Sequence, residues 1–436
     1  MSLSKLSLAG CVVLSGLGLV GIACSASPNA PQGLPSSAAG NSPGGSVGVG
    51  GAAGSPSNVG GSPSAGAASG GTPQVTPGSG GGGSGNDSGG VTGGGSSAGG
   101  GVAGSGGSGL NVGGTSITDP GSAGDGKRIV DKPFNASADV SAHNGVPHGT
   151  KLKFVLPTGS TQHYPTANDR EINVYVPMQY VKGTPAPVIV VQDGNQFFGW
   201  VDLVSNTLDN LIAAKKVVPI VAVFVNNGGG DAQGSHRGQE YDTLSGVYAE
   251  FIDQEVLPRV EQETASKLAA QAVKFTKDPE GRGTLGGSSG GVASFIAAWY
   301  HPDLFRRVVG FSPSFVAQES PQNPEHPHGA WNFHEDGHED DGGIIATTDP
   351  LKPIRVWMES GTNDYEAGSQ DDPTTPYPYY DFAYAIPRVF LKMTTKGYPH
   401  VHLDVGTGAV HVDSGMVRAT LPEAIAWTWR GYVGGI

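Results

Sequence analysis

Just over half of the 72 glycines in this 436-residue chain fall before residue 115, and that uneven distribution limits what the chain can fold into. Residues 25–126 are dominated by Gly, Ser, Ala and Pro, as in Gly78-Ser-Gly-Gly-Gly-Gly-Ser-Gly85. Such a stretch has almost nothing apolar to bury and cannot offset the entropy lost on ordering its backbone. It is predicted to be a disordered tether, spanning on the order of 55 Å root-mean-square for a coil of ~100 residues. Ordinary composition resumes near Lys127. The remaining ~300 residues suffice for one large domain with a full core. The chain therefore divides into a leader (1–23), a linker (24–127) and a folded domain (128–436).

In the leader, Lys5 is the only charge, Leu6 to Ala23 is apolar and small, and Cys24 follows. A charged start, an apolar stretch and small residues before a processing point describe a secretory signal. The cysteine after Ala23 resembles the bacterial lipobox, although Gly21 stands where that motif favours leucine. The resemblance implies an exported protein anchored to a membrane only through a lipid on Cys24. The rival reading is an ordinary signal peptide with a chance cysteine. Glycine interrupts the stretch too often for a membrane anchor. Cys11 and Cys24 are the only cysteines, so thiol catalysis, disulfides and zinc–thiolate sites are excluded from the folded domain. The formal net charge of −13 sits almost wholly in that domain. It argues against nucleic acid, whose binding needs Lys and Arg, and suits neutral substrates.

Strand and helix signals alternate along the domain. Glu171–Pro177 alternates and then breaks at proline, whereas Val188–Gln192 and Val217–Val225 are continuous β-branched runs of the kind buried on both faces. Leu203–Lys216, Ser245–Val260, Gly290–Tyr300 and Leu421–Tyr432 have helical character. Arg307–Phe311 and Ile354–Met358 are further strands. The alternation predicts an α/β domain with a mostly parallel sheet covered by helices on both faces. In such sheets the working groups gather at the carboxyl ends of strands.

One strand–helix junction carries chemistry. Gly286-Gly-Ser288-Ser289-Gly-Gly291 contains G-x-S-x-G twice, centred on Ser288 and on Ser289. The pattern suits a sharp turn that presents a serine hydroxyl, with a helix-start N–H positioned for an oxyanion. In the Ser288 register the segment continues through an apolar helix to His301-Pro-Asp-Leu-Phe305 and then Ser312-Pro-Ser-Phe315. This order resembles the enterochelin-esterase-like family, which includes esterase D, feruloyl esterases and acetylxylan esterases. The resemblance spans about Gly149 to Tyr432. It implies an α/β-hydrolase fold and Ser288, not Ser289, as nucleophile, with His301 as a helix-end residue.

A serine nucleophile needs a base, and the base needs a carboxylate. Gly361-Thr-Asn-Asp364 follows a predicted strand and matches the family's G-x-N-D, so the resemblance makes Asp364 the acid. Glu359, inside the strand, and Glu366 are the weaker candidates. His400, His402 and His411 are the candidate bases. His411 is favoured because it lies in a glycine-containing loop before Leu421-Pro-Glu-Ala-Ile-Ala-Trp-Thr-Trp-Arg430, as in the family, although Ala409-Val410 replaces the usual preceding glycine. His402 alternates like a strand residue. The second oxyanion donor, beside the Ser289 N–H, is expected from Gly194 or Asn195 in the turn after Val188–Gln192. Arg237 and Glu240, in a stretch resembling the family's R-x-x-E-Y-D, are expected to be structural or to form a pocket wall.

His326, His328, His334, Glu335, Asp336, His338, Glu339, Asp340 and Asp341 crowd one stretch, but their spacing matches no closed metal site. It is predicted to be a solvated insertion near the pocket, with Trp331 and Phe333 lining it. Neither a metal nor an organic cofactor is implied. The predicted reaction is hydrolysis of a carboxylic ester through an acyl-enzyme, on a small-molecule or polysaccharide-linked ester. The alternatives are an acyltransferase of the same fold and a non-catalytic surface lipoprotein.

Overall fold

Runs of Val, Ile and Phe with no room for polar residues form the middle of the sheet. In the computed structural model, residues 122–231, 234–316, 328–334, 343–365 and 381–434 are described. The leader, Cys24, nearly all of the linker, Glu366 and most of the 326–341 stretch lie outside them.

The strands are β1 (Gly126–Val130), β2 (Thr150–Leu156), β3 (Arg170–Val176), β4 (Val188–Gln192), β5 (Val221–Val225), β6 (Arg282–Gly287), β7 (Arg307–Phe311), β8 (Arg355–Gly361) and β9 (Val401–Gly406). They form one sheet in the order β1-β9-β8-β7-β6-β4-β5-β3-β2. Only the β2–β3 and β3–β5 pairings are antiparallel. Every residue of β4 to β9 is buried. The edge strand β2 mostly alternates between covered and exposed residues. That contrast is expected between strands packed on two faces and on one.

Helices cover both faces. On one side are α1 (Trp200–Ala213) and a C-terminal helix, Ser414–Thr428, which pack Trp200, Leu208, Trp357, Leu421 and Ile425 against the sheet. On the other lie α2 (His236–Tyr241), α3 (Val247–Phe251), α4 (Leu257–Lys267), α5 (Ser289–Tyr300), α6 (Gly343–Thr347) and α7 (Phe382–Lys396). Around them Phe251, Phe295, Trp299, Phe315 and Phe333 build an aromatic core. The C-terminal helix is α8. This is the α/β-hydrolase arrangement.

The chain passes from β4 to β5 on one side and then returns to β6 on the other. A crevice opens at such a reversal, outside the carboxyl ends of the strands. Val191 pairs with Leu285, so the turns after β4 and β6 emerge side by side.

Several boundaries differ from the sequence reading. The sheet begins at Gly126, two residues ahead of 128, because β1 pairs with β9 along its whole length. α8 begins at Ser414 rather than Leu421, since the Asp413 side chain caps the N–H groups of Gly415 and Met416. The helical stretch Ser245–Val260 runs on to Lys267, with a π-turn at Ile252–Val256.

Candidate active site

β6 ends at Gly287 and α5 begins at Ser289, so Ser288 alone makes the turn. Its backbone is at φ 58° and ψ −130°, a region that only glycine enters readily. The turn is held because Ser288 N–H donates to Phe311 O (2.9 Å) and Ser288 O accepts from Gly291 and Val292. The hydroxyl is thereby thrust out of the sheet top, half-buried at the mouth of the crevice.

His411 comes from the loop between β9 and α8. Its Nε2 lies 2.9 Å from Ser288 Oγ, and its Nδ1 lies 2.7 Å from Asp364 Oδ1. An imidazole protonated on Nδ1 donates to the carboxylate and leaves Nε2 to accept the serine proton. Asp364 is fully buried just beyond the end of β8. The loops bearing Asp364 and His411 are laced together: Asn363 N–H donates to Ala409 O (3.0 Å), Thr362 N–H to Gly406 O (2.9 Å) and Gly408 N–H to Thr362 Oγ1 (2.7 Å). Gly361 is required where they touch, because a Cβ there would stand 2.1 Å from Ala409 O. The Phe382 ring, at the start of α7, packs on the His411 ring at 4.1 Å.

Other strained backbone gathers around this contact. The described residues hold five non-glycine residues at positive φ: Asp193, Lys215, Ser288, Ser312 and Val412. All but Lys215 surround the site. Val412, a β-branched residue at φ 44°, is pinned by donating its N–H to Ser312 Oγ (3.0 Å). Strain of this kind persists only where surrounding contacts over-determine it.

Of the two expected oxyanion loops, one begins with the first-turn N–H of Ser289. In the other, Asn195 N–H already donates to Asn226 Oδ1 (3.0 Å), whereas no partner receives Gly194 N–H among the described residues. Gly194 sits at φ 45°, and a Cβ would meet Asn226 Oδ1 at 2.2 Å.

Beneath the turn lies a charge network that the sequence reading missed in part. Arg237 and Glu240 do not pair with each other. Arg237 grips Asp193 with Nε and Nη2, both at 2.9 Å, and Asn227 Nδ2 adds a third donor to that carboxylate. Glu240 instead receives both terminal nitrogens of Arg170, at 2.8 and 2.6 Å. Both pairs are buried and hold the β4 and β5 turns in place. Asp242, buried beside them, receives Ser289 Oγ at 3.5 Å. Burial pushes its carboxyl up to about 7, only partly countered by the Arg237 charge and the Ser289 hydroxyl. The signals were present in Asp193-Gly194 and in the Asp that ends Arg237–Asp242, but a sequence does not say which acid meets which arginine.

The rejected candidates lie elsewhere. Glu359 points to α8, where Thr420 Oγ1 donates to it at 2.6 Å, and burial raises its pKa well above the carboxylate range. His400 bonds Asp125, and His402 bonds Asp404 and stacks on Trp357 at 3.7 Å. His301 caps the end of α5 and bonds Glu250 and Asp303.

Trp331 does not line an open pocket. It is fully buried and stacks on Tyr384 (5.8 Å, 6° between planes), because its short 3-10 turn, Gly329–Phe333, docks into the core. Phe333 is likewise buried. Of the His/acid stretch, His334 is buried against Phe315 O, and its loss of solvent lowers its pKa to about 3. Among the described residues no three His, Cys, Asp or Glu side chains cluster as a metal site.

Comparison with known proteins bears on the same region. No curated protein matches the chain in sequence. Among solved structures, the enterobactin esterase of Shigella flexneri aligns at 17% identity over 65% of this chain, with a TM-score of 0.43. The ferric enterobactin esterase of Salmonella typhimurium aligns at 18% identity, also over 65%, with a score of 0.44. The chain spans only 61% and 59% of the lengths of those two proteins. A ferulic acid esterase of Anaeromyces mucronatus aligns at 17% identity over 68% of this chain and 97% of its own, with a score of 0.46. A family model described as "Putative esterase" matches residues 165–386, just over half of the chain and including both Ser288 and Asp364, and the chain therefore belongs to this esterase family.

Proposed function

We propose that this protein is a serine carboxylic ester hydrolase in which Ser288 attacks, His411 transfers protons and Asp364 orients His411. The observation that carries the proposal is the imidazole held between the serine hydroxyl and a buried carboxylate, at 2.9 and 2.7 Å. Serine alone is a weak nucleophile; a base in hydrogen-bond contact, with its tautomer fixed from behind, activates it.

In the first step Ser288 Oγ adds to the ester carbonyl as its proton passes to His411 Nε2. The carbonyl oxygen, now negative, is held by Ser289 N–H and Gly194 N–H, which are fixed before the reaction and need not reorient. The imidazolium, stabilised by Asp364, then gives its proton to the departing alcohol oxygen, and the C–O bond breaks. Water enters, is deprotonated by the same Nε2, and releases the acid and free Ser288.

The substrate class we assign is a carboxylic ester outside the cytoplasm, borne by a small molecule or a polysaccharide, reached by a domain held through Cys24 and the glycine-rich linker. Support for this comes from the sequence pattern of residues 1–126 alone. Palmitate labelling lost in Cys24→Ala supports the anchor, and an unlabelled wild type rules it out.

The deciding experiment for catalysis is a fluorophosphonate probe followed by an ester panel, from p-nitrophenyl acetate to feruloyl esters and acetylated xylan. Covalent labelling at Ser288 and hydrolysis lost in Ser288→Ala are expected. A folded wild type that neither labels nor hydrolyses any ester would refute the reading. Product ester formed from added alcohol would reassign it as an acyltransferase.

A further inference from the structure

The turn that follows β4 is fastened at almost every amide. Asp193 N–H donates to Tyr241 Oη (3.0 Å), Asn195 N–H to Asn226 Oδ1 (3.0 Å) and Gln196 N–H back to Asp193 O (2.7 Å). Between Asp193 and Gln196, Gly194 alone keeps an N–H with no partner among the described residues. The turn lies against the first turn of α5, since a Cβ on Gly290 would stand 3.0 Å from Gln192 Cβ and from Asp193 Oδ2. The open amide thus belongs to the segment that abuts Ser288 and Ser289.

Two contacts decide which way that amide faces. A trans peptide points its C=O and N–H in opposite directions. Asp193 O is turned to Gln196 N–H, so Gly194 N–H, on the same peptide, points away from the turn. The next peptide is held by Asn226, whose Oδ1 takes Asn195 N–H and leaves no room for a side chain on Gly194. Neither peptide can rotate without giving up its hydrogen bond. The arrangement needs such a hold, because Asp193 sits at φ 60°, which a non-glycine residue keeps only where contacts over-determine it.

Asn226 is itself anchored from outside the turn. Gln192 pairs with Val225, so Asn226 leaves β5 alongside Asp193. Its N–H donates to Glu171 O (3.1 Å), and its O accepts Arg170 Nη1 (2.9 Å), whose guanidinium is locked by Glu240. The side chain therefore reaches the turn from a backbone fixed by β3.

We infer that Asn226 is a positioning residue for the ester hydrolysis proposed above: by capturing Asn195 N–H it leaves Gly194 N–H as the amide of this turn that meets the oxyanion. The inference rests on that reaction. Asn226 touches no reacting atom and acts through the Gly194 and Asn195 peptides.

The test compares the full-length wild type with Asn226→Ala. Turnover of p-nitrophenyl acetate gives kcat and KM. Phenylboronic acid probes the oxyanion contacts: its boron takes Ser288 Oγ as a fourth bond and becomes a tetrahedral anion, while the serine proton passes to His411. Asn226→Ala should lower kcat about tenfold to a hundredfold and weaken phenylboronic acid in parallel, with KM within about twofold of wild type. Should that variant fail to fold, Asn226→Asp keeps the shape and the acceptor but sets a negative charge beside the developing oxyanion. Its kcat and boronate affinity should again fall together, by about tenfold or more. Unchanged kcat, or any loss of activity or Tm that leaves the boronate affinity intact, overturns the inference; the proposed reaction still stands if the wild type labels with the fluorophosphonate at Ser288. A folded wild type that neither labels nor hydrolyses overturns both.

Discussion

Ser288 carries the strain of the turn and, in the function proposed above, its chemistry. Its φ of 58° costs of order 1–3 kcal/mol for a non-glycine residue. Ser288→Gly should therefore abolish turnover and stabilise the fold by roughly 1 kcal/mol relative to Ser288→Ala, read by thermal denaturation. A glycine variant less stable than the alanine variant would contradict the strain. Asp364→Asn leaves the packing but presents the wrong partner to Nδ1, and kcat should fall by about 10⁴. Asp242 makes a pH prediction. Its folded pKa of about 7 stands above its ordinary 3.8, so the folded state holds a proton that the unfolded chain releases between those values. The stability it contributes is complete below about pH 4 and lost as pH rises through about 7. Asp242→Asn should flatten that part of the Tm–pH curve, and an unchanged slope would mean that the carboxyl is ionised in the fold.

Secondary-structure elements place these residues through their ends. Ser288, Asp364 and His411 follow β6, β8 and β9, so a shift of any of these strand ends breaks the hydrogen-bonded line Ser288–His411–Asp364. Gly361→Ala would force the acid and base loops apart at Ala409 O, and activity should fall far more than the far-ultraviolet circular dichroism changes. Gly194→Ala, clashing with Asn226, should lower kcat by about 10²–10³ while KM changes little, the signature of a lost oxyanion donor.

Much of this framework was legible in the sequence, because a fully buried strand must be apolar throughout and a catalytic turn needs its glycines. β4 and β7 were bounded to the residue. β1 and β2 were missed: both are edge strands carrying lysine or arginine, and their signal is weak. α8 was started too late because Gly415 resembles a loop residue and Pro422 resembles a first-turn proline, whereas Asp413 caps the helix a turn and more earlier. α7 was not anticipated, and Pro387 within it argues locally against a helix. Ser288, Asp364 and His411, singled out by motif and by family resemblance, stand within hydrogen-bond reach of one another in the fold. The Arg–Asp and Arg–Glu pairings were not foreseen, because partners 44 and 70 positions apart leave no local trace.

The whole molecule depends on two buried ion pairs and one edge strand. Replacing Glu240 by alanine would leave the Arg170 guanidinium without its counter-charge, and should destabilise the domain by about 3–5 kcal/mol in chemical denaturation. β1 is the other dependence. Val130 O accepts Thr407 N–H, and Lys132 donates to Gly408 O, so the segment that opens the domain also braces the loop that bears His411.

That bracing has a mechanical side. β1 lies parallel to β9 over five paired residues, and the preceding chain leaves from its amino end. A pull on that chain, resisted by a substrate gripped at the carboxyl ends of the strands, runs along the strand axis and loads the β1–β9 hydrogen bonds together, in shear. A pull across the sheet would break them one at a time. In single-molecule stretching, force applied through residue 122 against a handle near the catalytic face should therefore meet a higher rupture force than the same pull directed sideways. Once β1 tore away, the histidine loop would lose its brace, and the domain would fall silent under load before it unfolded.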